Sequence, residues 1–287
     1  MTNNKKTDDN QTKPTSSLKA NPQQKPDQSA GAALVDKGEI GEFAKTAIIA
    51  VLLAIIIRTF LYEPFNIPSG SMLPTLLVGD YLFVSKPAYG YSRYSFPFGL
   101  GGGFEGRISP DTPERGDVVV FKLPSNTSID YIKRVVALPG ETVQVRGGRL
   151  YIDGVRVERE VVGLVQSDEN ADFASRRLTE YIETLPGGAM HRIYEEGDNE
   201  DLDNTEVFRV PENHYFLMGD NRDNSQDSRV QSLVGYVPYE NLVGRADILF
   251  FSVHESAKLF NPLTWPNTIR FSRMFNKLGP VRAEDNQ

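Results

Sequence analysis

One uncharged apolar run limits what the N-terminal part of this chain can become. Thr46–Ile57 reads T-A-I-I-A-V-L-L-A-I-I-I, and as a helix it covers about 18 Å, short of the ~30 Å hydrocarbon core of a bilayer. Extended to Phe43–Tyr62, it has Lys45 and Arg58 near its ends, and both side chains are long enough to reach the headgroups. We interpret it as a transmembrane anchor over 41–62. A buried core helix and a cleaved secretory signal are the alternatives.

The lysines predict how this anchor is oriented. Seven of them precede Ala47, whereas no Lys or Arg occurs between Thr59 and Ser85. The positive-inside rule then places the N-terminus in the cytoplasm and everything after the anchor outside. The tail over 1–40 is rich in Asn, Gln, Lys, Asp, Pro and Ser, so we expect it to be disordered because it cannot bury enough apolar surface.

Composition excludes several classes of protein. The 287 residues carry a net charge of −7, which argues against a nucleic-acid-binding protein. The chain has no cysteine, which rules out a disulfide scaffold, a thiol enzyme and a cysteine-ligated zinc site. The three histidines (His191, His214 and His254) show no metal-ligand spacing, so no metal and no cofactor are expected.

The rest of the chain has the pattern of a β-rich protein. Short β-branched and aromatic runs, bounded by Gly, Pro and Asp, predict strands at Tyr81–Val84, Asp117–Lys122, Tyr131–Leu138 and Asp247–Val253. Gly147-Gly148 and Asp153-Gly154 each lie between alternating residues and predict two hairpin turns. The fold class is therefore mainly β.

Four segments have other patterns. Ala171–Thr184 predicts a local helix, Tyr91–Arg115 a long mobile loop, and Glu195–Asp203 an acidic, solvated stretch. At the C-terminal end, Thr264–Lys277 mixes arginines with Trp and Phe, which fits either an amphipathic segment on the bilayer surface or a segment packed on the domain.

A candidate for chemistry follows the anchor directly. In Glu63–Asp80, two serines, Ser69 and Ser71, flank Gly70 between two prolines. A serine needs a base to act as a nucleophile, and a lysine can serve when apolar neighbours lower its pKa. Lys133, in Y-I-K-R-V-V, is the candidate base. Each feature taken alone also fits an ordinary turn and a surface lysine.

A third polar cluster reads G-D-N-R-D-N-S-Q-D-S-R over Gly219–Arg229. Its short polar residues and arginines predict a hydrogen-bonded loop with internal ion pairs. A calcium loop is the alternative, because Asp223, Ser225 and Asp227 have the one-three-five spacing, but Ser228 stands where a glycine is needed and no glutamate follows at position twelve.

Together these blocks resemble bacterial type I signal peptidase. An apolar anchor is followed by P-S-G-S-M-x-P-T, R-G-D-V-V-V-F, D-Y-I-K-R-V-V-A-L-P-G and M-G-D-N-R-D-N-S-x-D-S-R, in the order of that family and over about Tyr62–Phe251. Leu73 in place of a second methionine and Gln226 in place of a small residue are minor departures.

The resemblance implies a serine–lysine dyad. Ser71 matches the nucleophile and Lys133 the general base. Ser69, with the backbone N–H of Ser71, matches the oxyanion hole, and Ser225 matches the serine that orients the lysine amine. The matching support residues are Asp220, Arg222, Asp227 and Arg229, and the matching apolar pocket for small substrate residues at minus one and minus three comprises Phe65, Ile67, Met72, Leu76, Tyr131 and Ile132.

The resemblance also implies an architecture, partners and a location. We expect a β-rich catalytic core (63–144 and 211–260) with an inserted second β-region (145–210), preceded by a single N-terminal transmembrane helix. A C-terminal segment over 261–287 follows. The implied partners are preprotein substrates, membrane lipid and the secretion machinery, with no nucleic acid. The implied location is the bacterial inner membrane, single-pass, with the catalytic part periplasmic or otherwise extracytoplasmic.

Two other functions remain open from the sequence. Related repressor-type proteins use the same dyad for self-cleavage, although they are soluble and bind DNA. A membrane-tethered β-domain that binds peptides or envelope partners without catalysis is the other alternative.

Overall fold

The computed structural model describes residues 37–96, 101–103, 105–165, 177–254 and 265–281. These residues form fourteen strands in three antiparallel sheets and one long helix, which confirms the mainly β prediction. The helices are α1 (Lys37–Phe60) and the short α2 (Trp265–Thr268). The strands are β1 (Tyr62–Asn66), β2 (Asp80–Ser85), β3 (Val118–Leu123), β4 (Asn126–Ala137), β5 (Thr142–Arg146), β6 (Arg149–Ile152), β7 (Val155–Arg156), β8 (Glu158–Val165), β9 (Leu178–Leu185), β10 (Ala189–Glu195), β11 (Phe208–Arg209), β12 (His214–Met218), β13 (Val237–Pro238) and β14 (Leu242–Ser252).

Helix α1 contains the predicted apolar segment. Its Gly41–Phe60 stretch has a mean hydropathy of 2.1 and is long and apolar enough to cross a membrane. Only 6% of that stretch is buried, which argues against the alternative of a core helix. The helix begins at Lys37. It ends at Phe60 because Tyr62, the first residue of β1, already pairs with β2. The rest of the predicted disordered tail lies outside the described residues.

The main sheet has seven strands in the order β1-β2-β14-β3-β4-β12-β13. Successive residues of β3 point to opposite faces, so Val118 and Val120 pack in one buried cluster, and Val119 and Phe121 pack in another. Burial on both faces explains why this strand is a continuous apolar run. The next strand, β4, lies in the interior of the same sheet.

Two smaller sheets lie between β4 and β12 along the chain. One has the order β11-β5-β6-β7 and the other β10-β9-β8. The predicted turns join β5 to β6 and β6 to β7, and their four residues (Gly147, Gly148, Asp153 and Gly154) all have positive φ angles. Positive φ angles at both central residues suit the type I′ turn that joins twisted strands, so this prediction is confirmed. The division into a core and an inserted region stays a prediction.

The predicted local helix over 171–184 is wrong where the structure describes it. Leu178–Leu185 is strand β9, which pairs with β10 on one side and β8 on the other. Two neighbouring strands satisfy its backbone, and this tertiary pairing outweighs a helical local pattern. Residues 171–176 of that prediction lie outside the described residues.

The segment after α2 packs on the domain. Arg273 pairs with the buried carboxylate of Asp80 and donates to the Thr75 carbonyl, while Leu278 is buried. Within the predicted 91–115 loop, Arg107 is also held, since its guanidinium donates to five backbone carbonyls. Contact of the C-terminal segment with lipid stays a prediction.

Candidate active site

Ser71 is carried by a short turn that follows strand β1. It lies in a 3-10 turn, Gly70–Met72, and is partly exposed. The buried Asn221 holds this turn with two hydrogen bonds: its backbone N–H donates to the Ser71 carbonyl at 3.2 Å, and its side-chain amide donates to the Gly70 carbonyl at 3.0 Å. The backbone of Ser71 is therefore held in place while its side chain stays accessible.

Lys133 lies on β4, between β3 and β12 in the main sheet. Its side chain is buried, with 3% of its surface exposed, and its Nζ lies 2.6 Å from Ser71 Oγ. The amine also lies 5.4 Å from the centre of the Tyr131 ring. Within the described residues Lys133 forms no ion pair, so a hydroxyl and not a carboxylate is its close polar neighbour.

Burial lowers the pKa of Lys133 from 10.5 to about 8, because an ammonium ion loses its hydration when it leaves water. The negative charges of Asp227 and Asp220 oppose this change, and the positive charge of Arg229 adds to it. Asp227 is itself paired with Arg229 at 2.9 Å, which weakens its pull on the lysine. An amine with a pKa near 8 is neutral often enough near neutral pH to accept a proton.

The Ser69 hydroxyl lies beside that of Ser71. Its Oγ is 3.5 Å from Ser71 Oγ, and its residue is exposed. A hydroxyl in this position is close to any carbonyl group that Ser71 attacks. It is suited to donate a hydrogen bond to the oxygen that becomes negatively charged there.

A cleft of about 830 Å³, here named the central cleft, contains both Ser71 and Lys133. Its volume lies in the range of ligand pockets. Its lining residues are Phe65–Ser71, Val120, Ile129–Lys133, Glu200–Leu202, Asp223–Gln226 and Val230.

Comparison with known proteins identifies the family. The model of the signal peptidase family, peptidase S26, matches residues 40–251. The chain belongs to this family. Signal peptidase I of Rickettsia conorii is 39% identical over 251 residues, covering 85% of this chain and 88% of that protein. Signal peptidase I of Rickettsia typhi is 38% identical over 253 residues, covering 83% of this chain and 93% of that protein.

A solved structure is also similar in sequence. The crystal structure of a signal peptidase I from Enterococcus faecalis matches 47% of this chain and 97% of that chain, at 26% identity. The TM-score of 0.28 is too low to support an argument about the fold. The assignment of this chain to the family therefore rests on the sequence matches over most of its length.

Three of the predicted support residues lie in two buried ion pairs, Asp220 with Arg134 and Asp227 with Arg229. The guanidinium of Arg134 donates to both oxygens of Asp220, at 2.8 and 2.7 Å. Asp227 pairs with Arg229 and also accepts the N–H of Gly219 at 3.0 Å. These bidentate contacts fix the loop after β12, which carries Asn221 to the Ser71 turn.

Arg222 has a partner that sequence reasoning missed. Its guanidinium forms two hydrogen bonds with the carboxylate of Glu183 on β9, one of them at 2.9 Å, and both residues are buried. The backbone N–H of Tyr194 on β10 also donates to the Asp220 carbonyl at 2.9 Å. The β8–β10 sheet therefore packs against the loop that supports the dyad. No local signal pairs Glu183 with a residue 39 positions away.

Ser225 lines the central cleft, but its predicted contact is not made. The residue is 5% exposed, and within the described part of the chain its hydroxyl has no hydrogen-bond partner. A Cβ atom built on Gly219 would clash with the Ser225 hydroxyl and with the Ser71 carbonyl oxygen. Gly219 thus lets Ser225 approach the Ser71 turn. The orienting role of Ser225 stays a prediction.

The predicted apolar pocket is divided between the cleft and the core. Phe65, Ile67, Tyr131 and Ile132 line the central cleft. Met72 and Leu76 are fully buried and do not line it. They belong to the buried cluster that also includes Ile67, so they support the cleft wall from behind.

One wall of the cleft comes from the segment predicted to be solvated. Glu200, Asp201 and Leu202 lie in the loop after β10, and all three line the central cleft. The acidic pattern correctly indicated exposure for 198–201, but it was wrong for Glu195 and Asp203, which are buried. Nothing in the pattern indicated proximity to Ser71.

The calcium alternative finds no support in the described residues, where no group of three or more His, Asp or Glu side chains could hold a metal ion. Asp227, one of its proposed ligands, is fully buried and paired with Arg229. Asp223 accepts the backbone N–H of Glu196 instead.

Proposed function

We propose that Ser71 and Lys133 are the nucleophile and general base with which this protein cleaves preproteins. The activity itself is that of its family: the protein is a signal peptidase I, a serine endopeptidase that removes signal peptides. The observation that carries the assignment of residues is the distance of 2.6 Å between Lys133 Nζ and Ser71 Oγ, together with the burial of the lysine.

The reaction is an acyl transfer in two halves. In the first, neutral Lys133 accepts the hydroxyl proton of Ser71 as Oγ bonds to the scissile carbonyl carbon. The resulting oxyanion accepts hydrogen bonds from the Ser69 hydroxyl and the Ser71 backbone N–H, and each such donor contributes ~3–4 kcal/mol. When the carbon–nitrogen bond breaks, the leaving amine takes the proton from Lys133.

In the second half, water hydrolyses the acyl-enzyme. Lys133 accepts a proton from water as the water oxygen bonds to the acyl carbon. The bond between that carbon and Ser71 Oγ then breaks, and Ser71 recovers its proton from Lys133. One group acts as base and then as acid in each half, which requires a pKa near the working pH.

The apolar part of the cleft explains the substrate preference that we propose. Phe65, Ile67, Tyr131 and Ile132 line it, and no cation other than Lys133 does among the described residues. Small side chains at minus one and minus three fit a shallow apolar wall. A larger side chain does not fit against this wall, whereas a smaller side chain is excluded only weakly.

We propose that α1 anchors the enzyme in the bacterial inner membrane, with the tail cytoplasmic and the catalytic part outside. The seven lysines before Ala47 support this orientation. Membrane lipid and the secretion machinery are the partners expected at that location. Anchoring confines the enzyme to the plane where the signal peptide of its substrate lies, which raises the frequency of encounter.

The test is cleavage of a preprotein by the purified full chain, with the cut mapped by mass spectrometry. We expect Ser71→Ala to abolish the cut, because the acyl-enzyme can no longer form. Ser69→Ala is expected to lower kcat by ~10²–10³-fold with little change in KM, because it removes one oxyanion donor.

The matched control is Ser128→Ala, which removes an exposed hydroxyl on β4 and should cleave at the wild-type rate. Cleavage by Ser71→Ala at the same bond would contradict the assignment of the nucleophile. A wild-type chain that binds the preprotein without cutting it would favour the non-catalytic alternative.

A further inference from the structure

A second cavity, of about 470 Å³, lies beside the end of the apolar helix. We name it the helix-end cavity. The last turns of α1 contribute Ile55, Arg58 and Thr59 to its lining, and the remaining lining residues are Glu63, Phe65, Lys86, Arg93, Tyr94, Phe96, Lys122, Thr127, Asp130 and Val243. Phe65 and Asp130 also line the central cleft, so the two cavities are adjacent.

Cations outnumber carboxylates in this lining. Arg58, Lys86, Arg93 and Lys122 face two carboxylates, Glu63 and Asp130. Burial works to raise the pKa of Glu63, but its contacts with Lys86 and Arg58 bring it below 4.5, so this carboxylate is ionised. Lys122 is paired with Asp130 at 2.8 Å.

Arg93 has no carboxylate partner inside the cavity among the described residues. Its ion-pair partner, Glu240, lies 3.5 Å away and does not line the cavity, and both side chains are close to half exposed. Glu240 offsets part of the Arg93 charge from outside the cavity, and Arg58 and Lys86 share the single carboxylate of Glu63, so the lining keeps a net positive charge. A polar ligand there meets a site that attracts negative charge and repels positive charge.

The position of the cavity indicates which part of a preprotein reaches it. A signal peptide has its apolar segment in the membrane, so the chain that leads from there to Ser71 must pass the end of α1. This reasoning rests on the proposed function. Phe65 joins the two cavities, and it belongs to the proposed wall for residues minus one and minus three. Residues just before minus three come next along the path.

We propose that the helix-end cavity is a charge-selective subsite for the polar segment of the signal peptide that precedes the cleavage site, and that it disfavours Lys and Arg there. Side chains alternate in an extended peptide, so minus five points to the same side as minus one and minus three, while minus four points away. Arg93 is the residue expected to contribute most to the selection, since its ion-pair partner Glu240 lies outside the cavity while Glu63 and Asp130 lie inside it next to the other cations.

The experiment compares preproteins that differ only at minus five, with Glu, Gln or Lys, in neutral-lipid vesicles at low salt. We expect wild-type kcat/KM to be about fivefold higher for Glu than for Lys, the upper range for partly exposed charge pairs. Arg93→Gln should reduce this ratio to below about twofold, and so should high salt, which screens exposed charges. Lys122→Gln provides a second variant should Arg93→Gln fail to fold.

Two controls test whether the charge preference is specific to the helix-end cavity and to position minus five. Arg156→Gln removes an exposed arginine on β7 and should keep the wild-type ratio. The same three residues placed at minus four should give a ratio near one. A ratio of one at minus five in the wild type, or an unchanged ratio in both Arg93→Gln and Lys122→Gln, would overturn the subsite.

Two further outcomes separate this proposal from its alternatives. A charge preference that arises only when the vesicles contain an anionic phospholipid would assign the cations to lipid phosphate and overturn the peptide subsite. Cleavage without charge preference would contradict the proposed subsite and leave the proposed function intact. The absence of any Ser71-dependent cleavage would instead remove the proposed function.

Discussion

Lys133 and Arg134 are neighbours on one strand, and both are buried cations with 3% and 2% of their surface exposed. Their surroundings differ because successive residues of a strand point to opposite faces. Lys133 meets the hydroxyl of Ser71. Arg134 meets both oxygens of Asp220 and also donates to the Gly116 carbonyl.

The difference shows that burial alone does not make a base. A buried cation that is paired with a carboxylate and donates its other hydrogen bonds to further acceptors is a structural element, because its charge is compensated and its donors are satisfied. Lys133 forms no ion pair among the described residues, and burial lowers its pKa to about 8 even though the charges of Asp227 and Asp220 oppose the change. One strand thus places the amine of the proposed base on one face and a support for the loop after β12 on the other.

Replacing Lys133 with Met tests the reactive side of the comparison. We expect kcat/KM for a preprotein to fall at least about 10³-fold, since the general base is lost. We expect the free energy of unfolding to stay equal or to rise, because an apolar side chain of similar length replaces a buried amine. Steady-state cleavage and urea unfolding measure the two quantities. Substantial turnover by Lys133→Met would contradict the dyad.

Replacing Arg134 with Met tests the structural side. This variant leaves the Asp220 carboxylate buried without its cation, which costs ~3–5 kcal/mol of the free energy of unfolding. Urea unfolding of the full chain measures the loss. The double variant Arg134→Met/Asp220→Leu should recover most of it, because an apolar pair replaces a buried ion pair at small cost. A stable Arg134→Met variant would show that the two cations are not held differently.

The pH dependence of kcat/KM provides a further test of the role proposed for Lys133. Because neutral Lys133 is the base, kcat/KM should rise about tenfold per pH unit below its pKa and level off above about 8. Pre-steady-state cleavage between pH 6 and 10 gives the profile. An acidic optimum, or a flat profile between pH 6 and 8, would contradict a desolvated lysine.

Local patterns predicted most of the fold. The predicted run at Tyr81–Val84 lies in β2, the run at Asp117–Lys122 overlaps β3 from Val118 onward, and the two hairpins are where their glycines indicate. Such signals are local, because turn chemistry and alternation act over a few residues. Residues 178–184 were predicted wrongly as helix because the partners that hold β9 in the sheet, β8 and β10, do not show in its own pattern.

The site was predictable to a smaller extent. Ser71 and Lys133 were found through the resemblance of whole sequence blocks, and the structure brings them together. Asn221 and Glu183 were not found as contacts of the site, because their partners are distant in the chain. A buried asparagine that donates to a backbone carbonyl leaves no periodicity and no charge pattern in the sequence.

By itself, the sequence determined the apolar helix, the β-rich class and the residue types at the reacting positions, because hydrophobic runs, alternation and motif order are local properties. Only the tertiary structure decided that Lys133 is buried with no ion pair to any described residue, that Met72 and Leu76 support the cleft from behind, and that the β8–β10 sheet reaches the loop after β12. Each of these depends on which distant surfaces pack together. The packing sets the desolvation and hydrogen bonding that make a serine and a lysine reactive.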